Sequence, residues 1–360
     1  MKTDHVSIIG GGIAGLAAAI AVAKANRTVA IYERSKAFDP VGAGLQLGPN
    51  AVRALKKLDI WDLVKPFTSS PPAIHIRDGK SGRLLKELKL DAQFEARFGE
   101  PYRVAHRADL HQALLEAAAN SNTIKIHLGK ELAMADWRSS GSVIGADGIW
   151  SASRENLFPD SSAIISTDTI YRGLEPLQNV TGIAMECVNL WLFPGGHVVH
   201  YPVGRDAKLN LVVVTQGKPP LDHFANAAPQ LLQLLQQTKT WTNWPAAYVR
   251  PLKNWSVGPH ALLIGDAAHG TLPYLAQGAA MALEDAAELF KQLEIEFNLE
   301  RAFEAFKKRR IARTTKLHNA SMQAGKIYHL SGTIAALRNL VLQATPMDLI
   351  SSRMNWIYQQ

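Results

Sequence analysis

An apolar run, Val6-Ser7-Ile8-Ile9, breaks at Gly10-Gly11-Gly12-Ile13-Ala14-Gly15 and gives way to an alanine-rich stretch reaching about Ala25. The pattern is that of a buried strand, a tight turn and a helix packed back on the strand, which commits the chain to an α/β start. Gly10 permits the turn, Gly12 lets a pyrophosphate approach the backbone, and Gly15, beside Ala14, allows close helix packing. The helix start adds free N–H groups and a dipole that favours anions. A second apolar run, Thr28 to Tyr32, ends at Glu33, at the ~20-residue spacing where an acid takes ribose hydroxyls, and Arg34 follows it. The rival reading is a secretory leader ending in Ala21-Val22-Ala23, and Asp4 and the three glycines break that pattern.

Two later segments repeat the strand-then-polar-turn arrangement. Val143-Ile144-Gly145-Ala146-Asp147-Gly148 leads to a helix start at Ser151 to Arg154, although an Asp-Gly hairpin is the plainer reading. Ala261-Leu262-Leu263-Ile264-Gly265-Asp266 leads through Pro273 to Gly278 into an amphipathic helix over Ala279 to Leu293, whose positive end points at whatever the loop encloses. Between these segments, Gly42 to Asn50 reads as an apolar loop with Asn50 capping a helix over Ala51 to Leu58. Residues 70 to 100 read as a hairpin around Asp78-Gly79, and Val104 to Ala119 as a helix with Arg107 near its start, placed for a pyrophosphate or a surface ion pair.

With 360 residues, 47% of them hydrophobic and 19% charged, the chain can bury a large core in two domains. Its single cysteine, Cys187, excludes an internal disulfide framework and suits a reducing, cytoplasmic compartment. No integral membrane segment, metal-ligand spacing or repeat is evident. The net charge of +8 is compatible with an anionic ligand, and its densest cluster, Lys307 to Arg310 with Arg313 and Lys316, reads as a solvated helix face rather than a nucleic-acid site.

The three glycine-containing segments together resemble the GxGxxG, DG and GD motifs of the single-component flavoprotein aromatic hydroxylases, and the resemblance spans nearly the whole chain. The stretch Leu272 to Ala286, with Ala276-Gln277-Gly278, and the stretch Gly196-His197-Val198-Val199-His200-Tyr201-Pro202 are similar to salicylate, 3-hydroxybenzoate and 6-hydroxynicotinate hydroxylases. The resemblance implies FAD held by Gly10, Gly12, Ala14, Gly15, Glu33, Arg34, Gly44, Arg107, Asp147 and Asp266, with Gln277, Gly278 and Ala279 beside the flavin ring. It further implies NADH or NADPH as a transient co-substrate, O2, a flavin C4a-hydroperoxide and a small aromatic acid. A homodimer is compatible with it.

On a strand, His197, Val199 and Tyr201 project to one face and His200 to the other, so that two polar heads converge on one ligand over an apolar floor. A histidine takes a phenolic proton near neutral pH and a tyrosine hydrogen-bonds it. A hydrogen-bonded core pair is the alternative. Leu45, Leu47, Pro273 and Tyr274, with Leu272, are expected to wall the site against water, and His269 to brace the loop.

One feature departs from the family. Between Ile126 and Gly145 only a short connection containing Met134, Trp137 and Arg138 stands where extra strands are usual. The expected architecture is α/β: a Rossmann-like FAD-binding domain (1–70, 100–165 and 257–330), an inserted, mainly antiparallel substrate domain (71–99 and 166–256), and a helical tail (331–360). The expected activity is NAD(P)H-dependent aromatic hydroxylation. The alternatives are a degenerate flavin-binding protein and a flavin enzyme of the same fold with another reaction; Trp241-Thr242-Asn243-Trp244 does not match the WxWxI of halogenases.

Overall fold

The computed structural model describes residues 5–38, 43–133, 137, 141–179, 184–204 and 208–359. The glycine-rich start forms the strand His5–Ile9 and the helix Ile13–Lys24 around a turn in which Gly10 has φ +104°. A Cβ on Gly10 would lie 2.5 Å from the Ala146 carbonyl oxygen, and one on Gly15 would collide with the Gly10 carbonyl, so the sequence needs glycine at both places.

His5–Ile9 is a central strand of a six-stranded sheet in the order Ser256–Val257, Ala261–Leu263, Ser142–Gly145, His5–Ile9, Thr28–Glu33, Ile124–Leu128. All pairings are parallel except the outermost, between Ser256–Val257 and Ala261–Leu263. The four inner strands are largely apolar and buried, as a sheet covered by helices requires. Ile13–Lys24 and Gly278–Ile295 pack side by side against it, and Leu16, Val22, Leu283 and Leu289 lie in their shared core. Each of the three turns noted in the sequence thus leaves the same end of one parallel sheet, at the carboxyl ends of its strands, where open α/β sheets bind ligands.

The second sheet has seven strands in the order Thr242–Tyr248, Ile164–Pro176, Lys208–Thr215, Gly196–Val203, Val188–Phe193, Ala73–Asp78, Leu84–Lys89. It is antiparallel except where Val188–Phe193 meets Ala73–Asp78. Its outer face carries Trp191, Phe193, Val198 and Val213 under the helix Pro229–Gln237, whereas its inner face carries Val199, Tyr201 and Val214 toward the rest of the molecule. The 30-residue helix Leu299–Tyr328 crosses back to it, and its C-terminal end is docked by the Gly195 N–H donating to the His329 carbonyl at 3.0 Å. The tail helices Gly332–Ala344 and Met347–Tyr358 return the chain to the first domain, where Tyr358 packs edge-on against Phe98 and Arg53 donates to the Tyr358 carbonyl at 2.9 Å.

Three local expectations are corrected. Gly44–Leu47 is a strand, antiparallel to Arg103–His106 in a three-stranded sheet, because alternating Leu45 and Leu47 have an apolar core to face. The following helix is Pro49–Lys57, with Gly48 at its start, so Asn50 caps nothing; its amide donates instead to Gln277 at 2.9 Å and to Glu284 at 2.6 Å. Arg103–His106 is extended, and the helix begins at Arg107. In the short connection, Trp137 is buried against Val143 and Ala261, on two neighbouring interior strands, beside Leu132. Met134, Arg138 and the first loop residue, Gly42, lie outside the described residues.

Candidate active site

At the cofactor end, Gly12 and Gly278 face open space, with no atom within 4 Å of where a Cβ would stand. Both helices that begin there, Ile13–Lys24 and Gly278–Ile295, lack a side-chain cap, which leaves their N–H groups for an anion. Glu33 accepts from the Gly11 and Ser35 N–H groups, each at 2.8 Å; burial alone would raise its pKa, and these bonds hold it below the usual carboxylate range. Arg34 is exposed beside it. Arg107 donates no side-chain hydrogen bond to any described residue; burial lowers its pKa and Asp266 partly restores it. Asp266 is open to solvent yet densely walled, as befits a cleft residue, and burial raises its carboxyl pKa against the pull of His269 and Arg107.

A buried ionic network fixes the turn that presents Asp266. Asp285 accepts from the Gly265 N–H at 2.8 Å and from His269 Nε2 at 2.6 Å, and Arg310 Nε donates to its other oxygen at 2.7 Å. Arg310 and Arg313 together clamp Glu284, which also receives Asn50. Burial would raise the Asp285 pKa, but His269 and Arg310 hold it at about 2. The Asp-Gly turn is braced in the same manner. Asp147 accepts from Ser151 Oγ at 2.5 Å and the Ser153 N–H at 2.9 Å, and fully buried Arg154 joins this turn to the next by donating to the Ile149 and Ala267 carbonyls. Open glycines, two uncapped helix starts, an ionised Glu33 and the free Arg107 guanidinium fit FAD.

At the substrate end, His197, Val199 and Tyr201 share the inner face of their strand, and His200 faces the outer side against Trp191. Register places Val214, Val212 and Asn210 beside them, then Ile170, Arg172 and Leu174 on the next strand. His197 is nearly fully buried, its Nδ1 2.9 Å from His329 Nε2 and its ring edge-on to Tyr274 and Tyr328. Burial, reinforced by His329, holds its pKa well below the ordinary value, so the ring is neutral. Burial raises the Tyr201 pKa, and the phenol keeps its proton. The Tyr274 hydroxyl donates to Asp168, and Gly325 on the long helix leaves the space its ring occupies.

Gly44 brings the two ends together. Its N–H donates to Asn210 Oδ1 at 2.7 Å, and a Cβ there would lie 2.7 Å from the Tyr201 ring. Because strand side chains alternate, Gln46 shares this side, accepting from Tyr102 at 2.6 Å and hydrogen-bonding Tyr201, while Leu45 and Leu47 point into the first core. Leu47 is fully buried there and does not line the site, contrary to expectation. Pro273 and Tyr274 form a short 3-10 turn over His197. Sequence reasoning missed Gln46, Arg172, Asn210 and His329. The alternation of Gly44–Leu47 could have found Gln46, but the others are placed by long-range pairing.

Residues 8–38 match an NAD(P)-binding Rossmann-like domain and residues 225–321 an FAD binding domain. A 3-hydroxybenzoate 6-hydroxylase of Polaromonas naphthalenivorans is 32% identical over 383 aligned residues, covering 98% of this chain and 95% of that protein. The chain belongs to the flavoprotein aromatic hydroxylases. The aligned length of 383 exceeds the 360 residues present, so this relative carries positions that the chain lacks, in keeping with the short connection. A 6-hydroxynicotinate 3-monooxygenase of Bordetella bronchiseptica is 30% identical over 88% of this hydroxylase and 90% of its own length. A salicylate hydroxylase substrate complex superposes with a TM-score of 0.79 at 25% identity, covering 99% of this chain and 96% of that one. Like the family, this hydroxylase is an FAD-dependent monooxygenase with NAD(P)H as reductant. Among the described residues, no helix is long and apolar enough to cross a membrane.

Proposed function

We propose that the protein hydroxylates a single-ring aromatic acid carrying a phenolic hydroxyl, of the salicylate or hydroxybenzoate type, with His197 and Tyr201 handling the phenol. The observation that supports this most is that a neutral histidine and a protonated tyrosine share one sheet face, with Tyr201 packed against Gly44.

FAD, when bound and reduced by NADH or NADPH, supplies activated oxygen to the ring. Gly10, Gly12, Ala14, Gly15, Glu33, Arg34, Gly44, Arg107, Asp147, Asp266, Gln277, Gly278 and Ala279 hold it. His197 Nδ1 is engaged by His329, which leaves Nε2 to accept the phenolic proton. A proton arriving there is balanced by one leaving Nδ1 toward His329, which lies in the field of Asp168. Ionising the phenol makes the ring carbon nucleophilic, and Tyr201 donates a hydrogen bond to the oxygen. Tyr274, Leu272 and Tyr328 exclude water. Because the His197 pKa is lowered, the acid limb of kcat/KM falls below the ordinary histidine value of about 6.5, and the rate is flat through neutrality. The buried thiol of Cys187 supports a reducing, cytoplasmic setting.

The short connection between Ile124–Leu128 and Ser142–Gly145 favours a second reading, a flavin-binding protein without turnover. NADH and NADPH oxidation by the FAD-loaded protein, with and without salicylate, 3-hydroxybenzoate or 6-hydroxynicotinate, separates the two. Acid-stimulated oxidation with a product one oxygen heavier supports hydroxylation. Bound FAD with no stimulation by any acid supports the second reading.

A further inference from the structure

Arg172 projects from the strand Ile164–Pro176 onto the face that holds His197 and Tyr201. Its register partner is Val212, and the partner of Val212 on the following strand is Val199, which lies between His197 and Tyr201. Two strand spacings, about 10 Å, therefore separate the backbone of Arg172 from that of the histidine–tyrosine strand, with two valines as floor between them.

Among the described residues, no carboxylate pairs with the guanidinium. It donates no hydrogen bond to a described residue, its Nε is fully buried without a partner, and it lies over the Trp244 ring, 4.8 Å from the guanidinium carbon to the ring centre. The groups that act on it electrostatically are Tyr201, which is uncharged, and Arg107, which is positive. A partly buried cation with unused donors is costly unless an anion arrives to pair with it. The planar donor fork of arginine matches a carboxylate, and the guanidinium lies over the Trp244 ring, a contact that steadies it.

We propose that Arg172 is the carboxylate-binding residue of the substrate site, so that the enzyme selects ring acids over their neutral analogues. This rests on the hydroxylase reading and deepens it. One end of the substrate, the phenol, meets His197 and Tyr201, the ring lies on Val199 and Val212, and the carboxylate meets Arg172. Arg172 thus sets which ring position lies toward the cofactor.

The test is a titration of the FAD-loaded protein, followed by flavin absorbance and fluorescence, with salicylate, 3-hydroxybenzoate and 6-hydroxynicotinate and with the amide of each. It is done for the unaltered protein, Arg172→Gln and Arg172→Lys, with FAD affinity measured in parallel. At least one acid is expected to bind the unaltered protein ten or more times more tightly than its amide. In Arg172→Gln that acid weakens 10- to 100-fold while its amide and FAD are unchanged, and Arg172→Lys recovers part of the preference. If Arg172→Gln keeps the preference, or loses acid, amide and FAD alike, the inference is overturned and the hydroxylase reading stands on its own test. If no acid or amide perturbs the flavin of the unaltered protein, both are overturned.

Discussion

Two buried polar clusters in this molecule are built on opposite plans. Around Gly265, the groups of Glu284, Asp285, Arg310 and Arg313 find partners within the chain, and the unpartnered atoms, His269 Nδ1 and Asn50 Oδ1, lie at the edge. On the inner face of the second sheet, the Arg172 Nε, the Asn210 Nδ2 and one oxygen of Asp168 are buried without partners. The first cluster is closed, and it stiffens the turn that presents Asp266. The second is open, and its missing partners are those a ligand brings. Buried polar groups that are satisfied specify structure, whereas those left unsatisfied point to a site.

The comparison breaks first at the closed cluster. Arg310→Met strips two buried acids of their shared cation and is expected to cost about 3–5 kcal/mol, read as a shift in urea unfolding. A loss below ~1 kcal/mol would mean that the network is less closed than described. At the open cluster, His197→Gln is expected to leave folding and FAD binding unchanged while lowering kcat about 10²-fold. Equal losses of stability and turnover would assign His197 to the core instead.

His200, one strand position from Tyr201 but on the outer face, supplies a control with a pH signature. Burial and nearby Arg77 depress its pKa to about 3, and neither ring nitrogen has a partner. Between pH ~6.5 and about 3 the unfolded chain takes up a proton that the folded chain refuses, so stability is full above ~6.5 and declines as pH falls through this window. His200→Phe is expected to flatten that decline by a few kcal/mol in denaturant titrations at stepped pH, without changing acid binding. The smallest effect is expected at Gly325→Ala, where the new methyl displaces the Tyr274 ring. A cost of about 1–2 kcal/mol and a leakier, less coupled oxidation follow, measured as peroxide released per NAD(P)H.

The two regions also differ in how far they were legible in the sequence. The cofactor end is written in short segments, because a turn with φ +104° at Gly10 and close packing at Gly15 can be met only by glycine. The strand, turn and helix that follow are local consequences. The face of His197 and Tyr201 was legible for the same reason, since alternation along one strand is local. Arg172, Asn210 and His329 reach the site through long-range partners, Val212, Gly44 and His197, which lie 40, 166 and 132 residues away in the chain, and nothing near them in sequence announces that arrival. Leu47 was misplaced because its segment read as a loop, where alternation has no meaning; as a strand, it turns Leu47 inward and Gln46 toward Tyr201.

The cofactor end is held to be complete despite the short connection between Leu128 and Ser142, in which Trp137 packs on Val143 and Ala261 of the sheet. Titration of the purified protein with FAD, followed by flavin absorbance and fluorescence, tests this most directly. The account predicts tight binding at one FAD per chain. A well-folded protein that fails to bind FAD would contradict it.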